Sequence, residues 1–357
     1  MKIGILTGGG DCPGLNAVIR AVTKKAILDY DMELVGFEDG YEGLIKNKFR
    51  SLQYHDVSGI LTLGGTILGT SNKANPYKYI SKKTRLPQDV SKEAIENTKR
   101  EGIDCLVCIG GDGTLQIANK LRQDSIPIIG IPKTIDNDIR GTEIAFGFNT
   151  AVEIVAEGID RIHTTAQSHH RVMIMEVMGR TAGWIALYAG IAGGGDIILI
   201  PEIPYDVKEV VNKVKERSKK GKRFSIVVVA EGARPKGGDV VIKKIVEDAT
   251  EPVRLGGIGF MLGEQIENLT GLEARAVVMG HLQRGGSPSA YDRVLATQLG
   301  TRAVEMAVDK KFGYMVGIKG NRVIDIPLAE VAEGPRLVPL DHPLVKSARS
   351  VGTCFGT

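Results

Sequence analysis

Three stretches place aspartate among glycine, lysine or threonine at the end of an apolar run: GGGDCPG at 8–14, GGDGT at 110–114 and PKTIDND at 132–138. In the first, Gly8, Gly9, Gly10 and Gly14 predict a strand-to-helix turn whose backbone N–H groups approach an anion closely, with the helix dipole favouring negative charge there. A tight turn with no ligand would also select glycine. The second repeats this geometry with Asp112 inside it. A carboxylate among polyphosphate-binding donors makes sense if it shares Mg²⁺ with the phosphates; the plainer expectation is that Asp112 caps the following helix, with Thr114 in the first turn. In the third, an extended segment would put Asp136 and Asp138 on one face, one as base for a hydroxyl and the other held by backbone or a cation. An Asx-turn would account for only one of these aspartates.

Two later stretches, SHHRVMIMEVMGRTAG and EARAVVMGHLQRGGSP, carry Arg171, Arg180, Arg275, His281 and Arg284 at the edges of apolar runs. Guanidinium forks bind phosphate oxygens bidentately, so together these residues favour a phosphorylated small substrate. Cys105 and Cys108 have the spacing of a redox or zinc pair, yet three residues along a strand separate two faces, and the sulfurs should not meet. No second such pair or nearby His pair completes a metal site.

The elements that would hold these loops follow from the order of the pattern. KIGILT, MELVGF, CLVCIGG and PIIGIP are near-continuous apolar runs with helical stretches such as NAVIRAVTKKAILDY and LQIANKLRQ between them. That is the signature of parallel strands buried on both faces, and it predicts an open, doubly wound α/β sheet with ligands beyond the carboxyl ends of its strands. The pattern restarts with RVMIMEVMG, GDIILIPEI and FSIVVVAEGA, which predicts a second α/β domain. A length of 357 residues, 43% hydrophobic and 25% charged, suits two cores. The formal charge of +4 gives no nucleic-acid surface, and the apolar run after Met1 is too short for a signal segment or membrane span, so a cytoplasmic protein is expected.

Taken in order, GGGDCPGLNAVIR, GGDGT, PKTIDND, SHHR, EVMGRTAG, VVVAEG, ARAVVMGHLQRGGSP and YDR resemble the 6-phosphofructokinases of the bacterial type, over most of the chain. The resemblance implies two Rossmann-like three-layer domains with mainly parallel sheets and the active site in the cleft between them. It places the nucleotide domain at 1–147 plus about 283–332 and the sugar-phosphate domain at about 148–282 plus 333–357. It implies Mg²⁺-dependent transfer of a phosphoryl group from ATP to the 1-hydroxyl of fructose 6-phosphate, in a homotetramer or homodimer with shared active sites.

Residue by residue, Gly9, Gly111, Asp112, Gly113 and Thr114 match the nucleotide phosphate site, Asp112 the carboxylate that positions Mg²⁺, and Asp136 the general base, with Ile135 beside it. Thr134 and Arg180 resemble the groups near the transferring phosphoryl; Met178, Gly179 and Glu231 resemble sugar contacts. Arg171, Arg275, His281 and Arg284 match the 6-phosphate pocket, the first two from a neighbouring subunit.

Gly113 and Lys133 occupy the positions that track the phosphoryl donor. Pyrophosphate users typically have Asp at the first, which conflicts with the α-phosphate of ATP, and Lys at the second, where bacterial ATP users have Gly. An Asp in the loop blocks adenosine nucleotides directly and a lysine need not, so ATP is the expected donor. Asn72 and Lys73 stand where bacterial ATP users carry Arg and an aromatic residue. Of the effector positions Arg20 is kept, but Lys24, Tyr54 and His163 replace arginines. The alternatives are a pyrophosphate-dependent enzyme, a kinase acting on sedoheptulose 7-phosphate and a non-catalytic nucleotide sensor; NAD kinases and diacylglycerol kinases share GGDGT but lack the companion motifs.

Overall fold

The computed structural model describes residues 1–81, 86–245 and 253–357. The β-rich apolar runs assemble into two separate sheets. Across the larger one the strands run Arg322–Pro327, Tyr314–Lys319, Ile128–Thr134, Cys105–Gly110, Lys2–Thr7, Glu33–Phe37 and Phe49–Ser51, and Phe146–Gly147 pairs with Ile128–Thr134 off this path. The five inner strands are mutually parallel, and an antiparallel strand closes each side. The smaller sheet, Ile197–Leu199, Ser225–Ala230, Val172–Val177 and Ala274–Val278, is parallel throughout. Two mainly parallel α/β sheets are the predicted architecture.

Burial on both faces explains why the inner strands are apolar without alternation: every residue of Cys105–Gly110 and of Ile128–Thr134 is buried. Cys105 and Cys108 lie in different hydrophobic clusters on the two sides of the sheet, and neither is in a disulfide. Helix Leu15–Tyr30 covers one face together with Ala290–Val308, at whose Gly300 an added Cβ would lie 2.8 Å from Ala21 Cβ and 3.1 Å from Val18 O. Gly300 therefore sets how closely the two helices approach. The 22-residue helix Phe148–His169 runs from the first sheet to the second.

The chain leaves the first of these strands, Lys2–Thr7, to build Glu33–Phe37 on one side and returns to Cys105–Gly110 on the other. Strand order reverses there, and in an open α/β sheet the gap between the two diverging connections is where ligands enter. The loops at 8–14 and 111–114 follow those two strands. After Val331 the chain crosses to the second sheet, where Cys354 extends the edge at Ile197 and helix Pro343–Ser350 packs.

Candidate active site

A cleft of about 1550 Å³ opens between the carboxyl ends of the two sheets. That exceeds the few hundred to about 1000 Å³ of a single small-molecule site, which leaves room for two ligands. One wall is the paired glycine loops, with Gly9, Asn72, Gly111, Asp112, Gly113 and Thr114. The other carries Met178, Arg180, Glu231, His281 and Arg284, and between them lie Lys133, Thr134, Asp136 and Asp138. Residues separated by well over a hundred positions in sequence thus face one another. Lys73, Ile135 and Gly179 adjoin this cleft without lining it; Ile135 is fully buried beneath it.

The first glycine loop is held from three directions. Gly9 N–H donates to Ser71 O at 3.1 Å, Thr70 Oγ1 donates to Gly9 O at 2.7 Å, and Arg284 Nη1 donates to Asp11 O at 3.0 Å. Lys133, buried under the loop, donates from Nζ to Gly10 O. Its ammonium pKa is lowered by that burial. In the second loop the helix N-cap is Gly111, with Asp112 as the first helical residue, which corrects the expectation that Asp112 is the cap. Its Oδ2 instead accepts from Gln116 Nε2 at 2.8 Å, one turn on. A Cβ added at Gly113 meets nothing within 4 Å, so the loop has open space beside Asp112.

The third loop is not extended. Strand Ile128–Thr134 ends before it, and Asn137 has φ 53°, in the left-handed region where asparagine is tolerated better than most side chains. The two buried aspartates are therefore presented by a bend rather than by one face of a strand, and Asp136 N–H closes it on Thr134 Oγ1 at 3.1 Å. Asn137 pins the bend, accepting from Ala145 N–H at 3.0 Å and donating to Glu143 O at 3.3 Å. Burial first, and then the Asp136 carboxylate, push Asp138 up to about 7; the same two causes raise Glu231 to about 7. Acids crowded at this part of the cleft thus face the cations Arg180 and Arg284.

Arg180 itself has φ 51°, and its N–H donates to Glu231 Oε1 at 3.3 Å. A Cβ at Gly232 would lie 1.8 Å from Arg180 O, so only glycine permits this approach of the two loops. Glu176, which the motif reading passed over, binds Gly257 N–H at 2.9 Å and Gly259 N–H at 2.8 Å and so docks helix Ile258–Thr270 at the cleft. The hairpin Ile242–Ile245 with Val253–Leu255 adds Lys243, Lys244 and Arg254 to the rim. Its alternation is too short and too exposed to stand out in sequence.

Arg171 and Arg275 lie elsewhere. Arg171 precedes strand Val172–Val177 and Arg275 sits near the start of Ala274–Val278, at the amino ends, whereas the cleft opens at the carboxyl ends. Both bind Glu273, Arg171 Nε at 2.6 Å from Oε2 and Arg275 Nη2 on Oε1. His281 and Arg284, which follow the same strand, do reach the cleft.

The sequence matches the family described as phosphofructokinase over residues 2–307. The chain belongs to the phosphofructokinase family. It is 54% identical over 358 aligned residues, covering 99% of this chain and 98% of the relative, to a protein of Clostridium perfringens named ATP-dependent 6-phosphofructokinase 2. It is also 49% identical, over 96% of this chain and 97% of the relative, to a protein of Amycolatopsis mediterranei named pyrophosphate–fructose 6-phosphate 1-phosphotransferase. The solved phosphofructokinase of Saccharomyces cerevisiae superposes with a TM-score of 0.79 at 32% identity over 93% of this chain. The present chain spans 45% of that larger one.

Within this phosphofructokinase, the described residues contain no group of three ligating side chains suited to a metal ion and no helix long and apolar enough to cross a membrane. A single carboxylate in a glycine loop, as Asp112 is, fits Mg²⁺, which keeps several waters and takes phosphate oxygens with one or two carboxylates.

Proposed function

We propose that this protein is an ATP-dependent 6-phosphofructokinase that converts fructose 6-phosphate to fructose 1,6-bisphosphate. The observation that carries the choice of donor is the open space at Gly113, at the position where an aspartate would oppose a nucleotide α-phosphate. ATP lies along the glycine loops, its phosphates toward Gly9 and Gly111 to Thr114, with Asn72 and Lys73 nearby. The sugar lies against Met178, Gly179 and Glu231, its 6-phosphate toward His281 and Arg284. Asp112 would hold Mg²⁺, which supplies charge neutralisation at the phosphates.

In the reaction Asp136 accepts the proton of the sugar 1-hydroxyl as that oxygen bonds to the terminal phosphorus of ATP and the bond to the β-phosphate oxygen breaks, releasing ADP. Thr134 and Arg180 stabilise the charge spread over the transferring group, which is the main work of catalysis in phosphoryl transfer. Arg171 and Arg275, bound to Glu273 at the amino ends of their strands, complete the 6-phosphate pocket of a neighbouring copy in a homotetramer or homodimer. ATP and a phosphorylated sugar place the enzyme in the cytoplasm.

The first experiment is the initial rate of fructose 6-phosphate phosphorylation with Mg²⁺ and either ATP or pyrophosphate. Turnover with ATP and not pyrophosphate is the expected result. The reverse would mean that Lys133, buried under the donor loop, outweighs the open glycine.

Regulation by ADP or phosphoenolpyruvate is not expected. Lys24 Nζ lies over the Tyr54 ring, 4.1 Å from its centroid, and His163 packs edge-on against Phe224 at 5.0 Å, so these positions are spent on internal contacts. Either compound should shift the apparent KM for fructose 6-phosphate by less than the roughly fivefold that marks ordinary allosteric coupling. A larger shift in rates measured at low sugar phosphate would overturn this.

A further inference from the structure

Pro335 and Leu337 line the cleft, and Arg336 between them turns the other way, into the protein. Its own N–H donates to Asp138 O at 2.6 Å. Its Nη2 donates to Asn137 O at 2.8 Å and to Glu143 O at 2.9 Å. The guanidinium stacks on the indole of Trp184, 4.3 Å from the ring centroid, and Trp184 Nε1 donates back to Arg336 O at 2.9 Å. His342 meets the same indole edge-on at 5.2 Å. Two residues along, Val338 N–H donates to Glu202 Oε1 at 2.8 Å, and Glu202 also accepts Gly183 N–H at 3.0 Å, in the turn that follows Arg180.

Resting on the role proposed for Asp136, we infer that Arg336 is a positioning residue: it clamps the bend that presents Asp136 and ties it, through Trp184 and Glu202, to the loop that presents Arg180. The bend needs a clamp. It holds a non-glycine residue in the left-handed region between two buried carboxylates that repel each other, and such a conformation persists only where its surroundings over-determine it. Asn137 fixes one side through its side chain, on Ala145 and Glu143; the Arg336 guanidinium fixes the other through the carbonyls of Asn137 and Glu143. A guanidinium suits the task because one planar group can donate to two carbonyls while its face stacks on an aromatic ring. A lysine ammonium has donors for carbonyls but no planar face to stack on the indole.

The test compares Arg336→Met and Arg336→Lys with Arg349→Met, a tail arginine that packs over Phe355 and does not touch the loop. Arg336→Met should lower kcat by about 10²-fold, the cost of misplacing a reacting group by roughly 1 Å, with KM for ATP within about twofold. Arg336→Lys should recover part of the loss, and Arg349→Met should leave kcat unchanged. Amide exchange in the peptide 132–144 should quicken in Arg336→Met alone. Because Trp184 is the sole tryptophan, its emission should shift in that variant and not in Arg349→Met.

A kcat within about twofold of the parent with unchanged exchange overturns the inference. So does an equal loss in Arg349→Met, which would reduce the effect to tail packing. If Arg336→Met does not fold, Arg336→Lys decides: lower kcat at an unchanged Tm supports the clamp, and parental kcat overturns it. If the parent transfers no phosphoryl group to fructose 6-phosphate from either donor, the functional reading fails, while exchange and emission still decide whether Arg336 holds the bend.

Discussion

Replacing Asp136 by Asn is expected to lower kcat by about 10³-fold, within the range lost when a general base is removed, while ATP binding stays near the parental level. The split follows from position. Asp136 stands past the end of strand Ile128–Thr134 in the loop facing Glu231 and Arg180, whereas the proposed phosphate contacts come from the glycine loops after the neighbouring strands. Asn keeps the volume and the Thr134 contact, which runs through the Asp136 backbone N–H. Saturation kinetics and a nucleotide titration on the same preparation give both readouts. A fall below about tenfold would move the proton to another acceptor, and Asp138, two residues away and lifted to about 7 by burial and by Asp136, would be the first to replace.

Gly113→Asp should cut kcat/KM for ATP by about two orders of magnitude, the cost of placing a like charge against a bound polyphosphate. Pyrophosphate, which brings no nucleotide α-phosphate, should lose far less or gain. Folding is not at issue. A Cβ at Gly113 meets nothing within 4 Å, and Gly113 is not among the glycines with positive φ. An acid in the first helical turn is favourable to the helix dipole, so Tm should hold or rise slightly. Measuring kcat/KM for both donors alongside a melting curve separates selectivity from stability. An unchanged ATP value would show that the α-phosphate does not pass this position.

The parts legible in sequence share one property: each is local. Strands such as CLVCIG and PIIGIP are apolar throughout because both faces are covered, and each active loop starts where such a run stops. That is enough to place Gly9, Asp112 and Asp136 at the same end of one sheet; Arg284 is set opposite them only by the family resemblance. The bend at Asn137 was not legible, because Asp-Asn-Asp fits an extended segment as well as a left-handed turn until the partners of Asn137 are known. Helix Phe148–His169 did carry a signal, since its buried Phe148, Ala151, Val155, Ile159, Ile162 and Ala166 stand at helical spacing. The antiparallel edge had a signal that could have found it: YMVGIK and RVIDIP flank Gly320 and Asn321, whose φ values of 55° and 61° are those of a type I′ hairpin turn. Arg336 had none. Its partners Asn137, Asp138 and Trp184 lie far up the chain, and nothing in EGPRLVP announces them.

The larger sheet takes the strands from Ile128–Thr134 across to Phe49–Ser51 from before residue 135, but the two on its other side from Tyr314–Lys319 and Arg322–Pro327. On the ribosome, Ile128–Thr134 is finished while the strand that will cover its outer side is still unmade, with the whole second sheet to be synthesised in between. At about 5–20 residues per second that interval is on the order of tens of seconds. For that time the buried first half of the strand, around Ile129 and Gly130 where Tyr314 and Met315 will pair, presents an open hydrogen-bonding edge, the kind that pairs with another chain. The nascent protein is thus most exposed to aggregation at the strand that leads into its proposed catalytic loop, and a chaperone that shields that edge until Lys319 emerges would raise the yield of active enzyme.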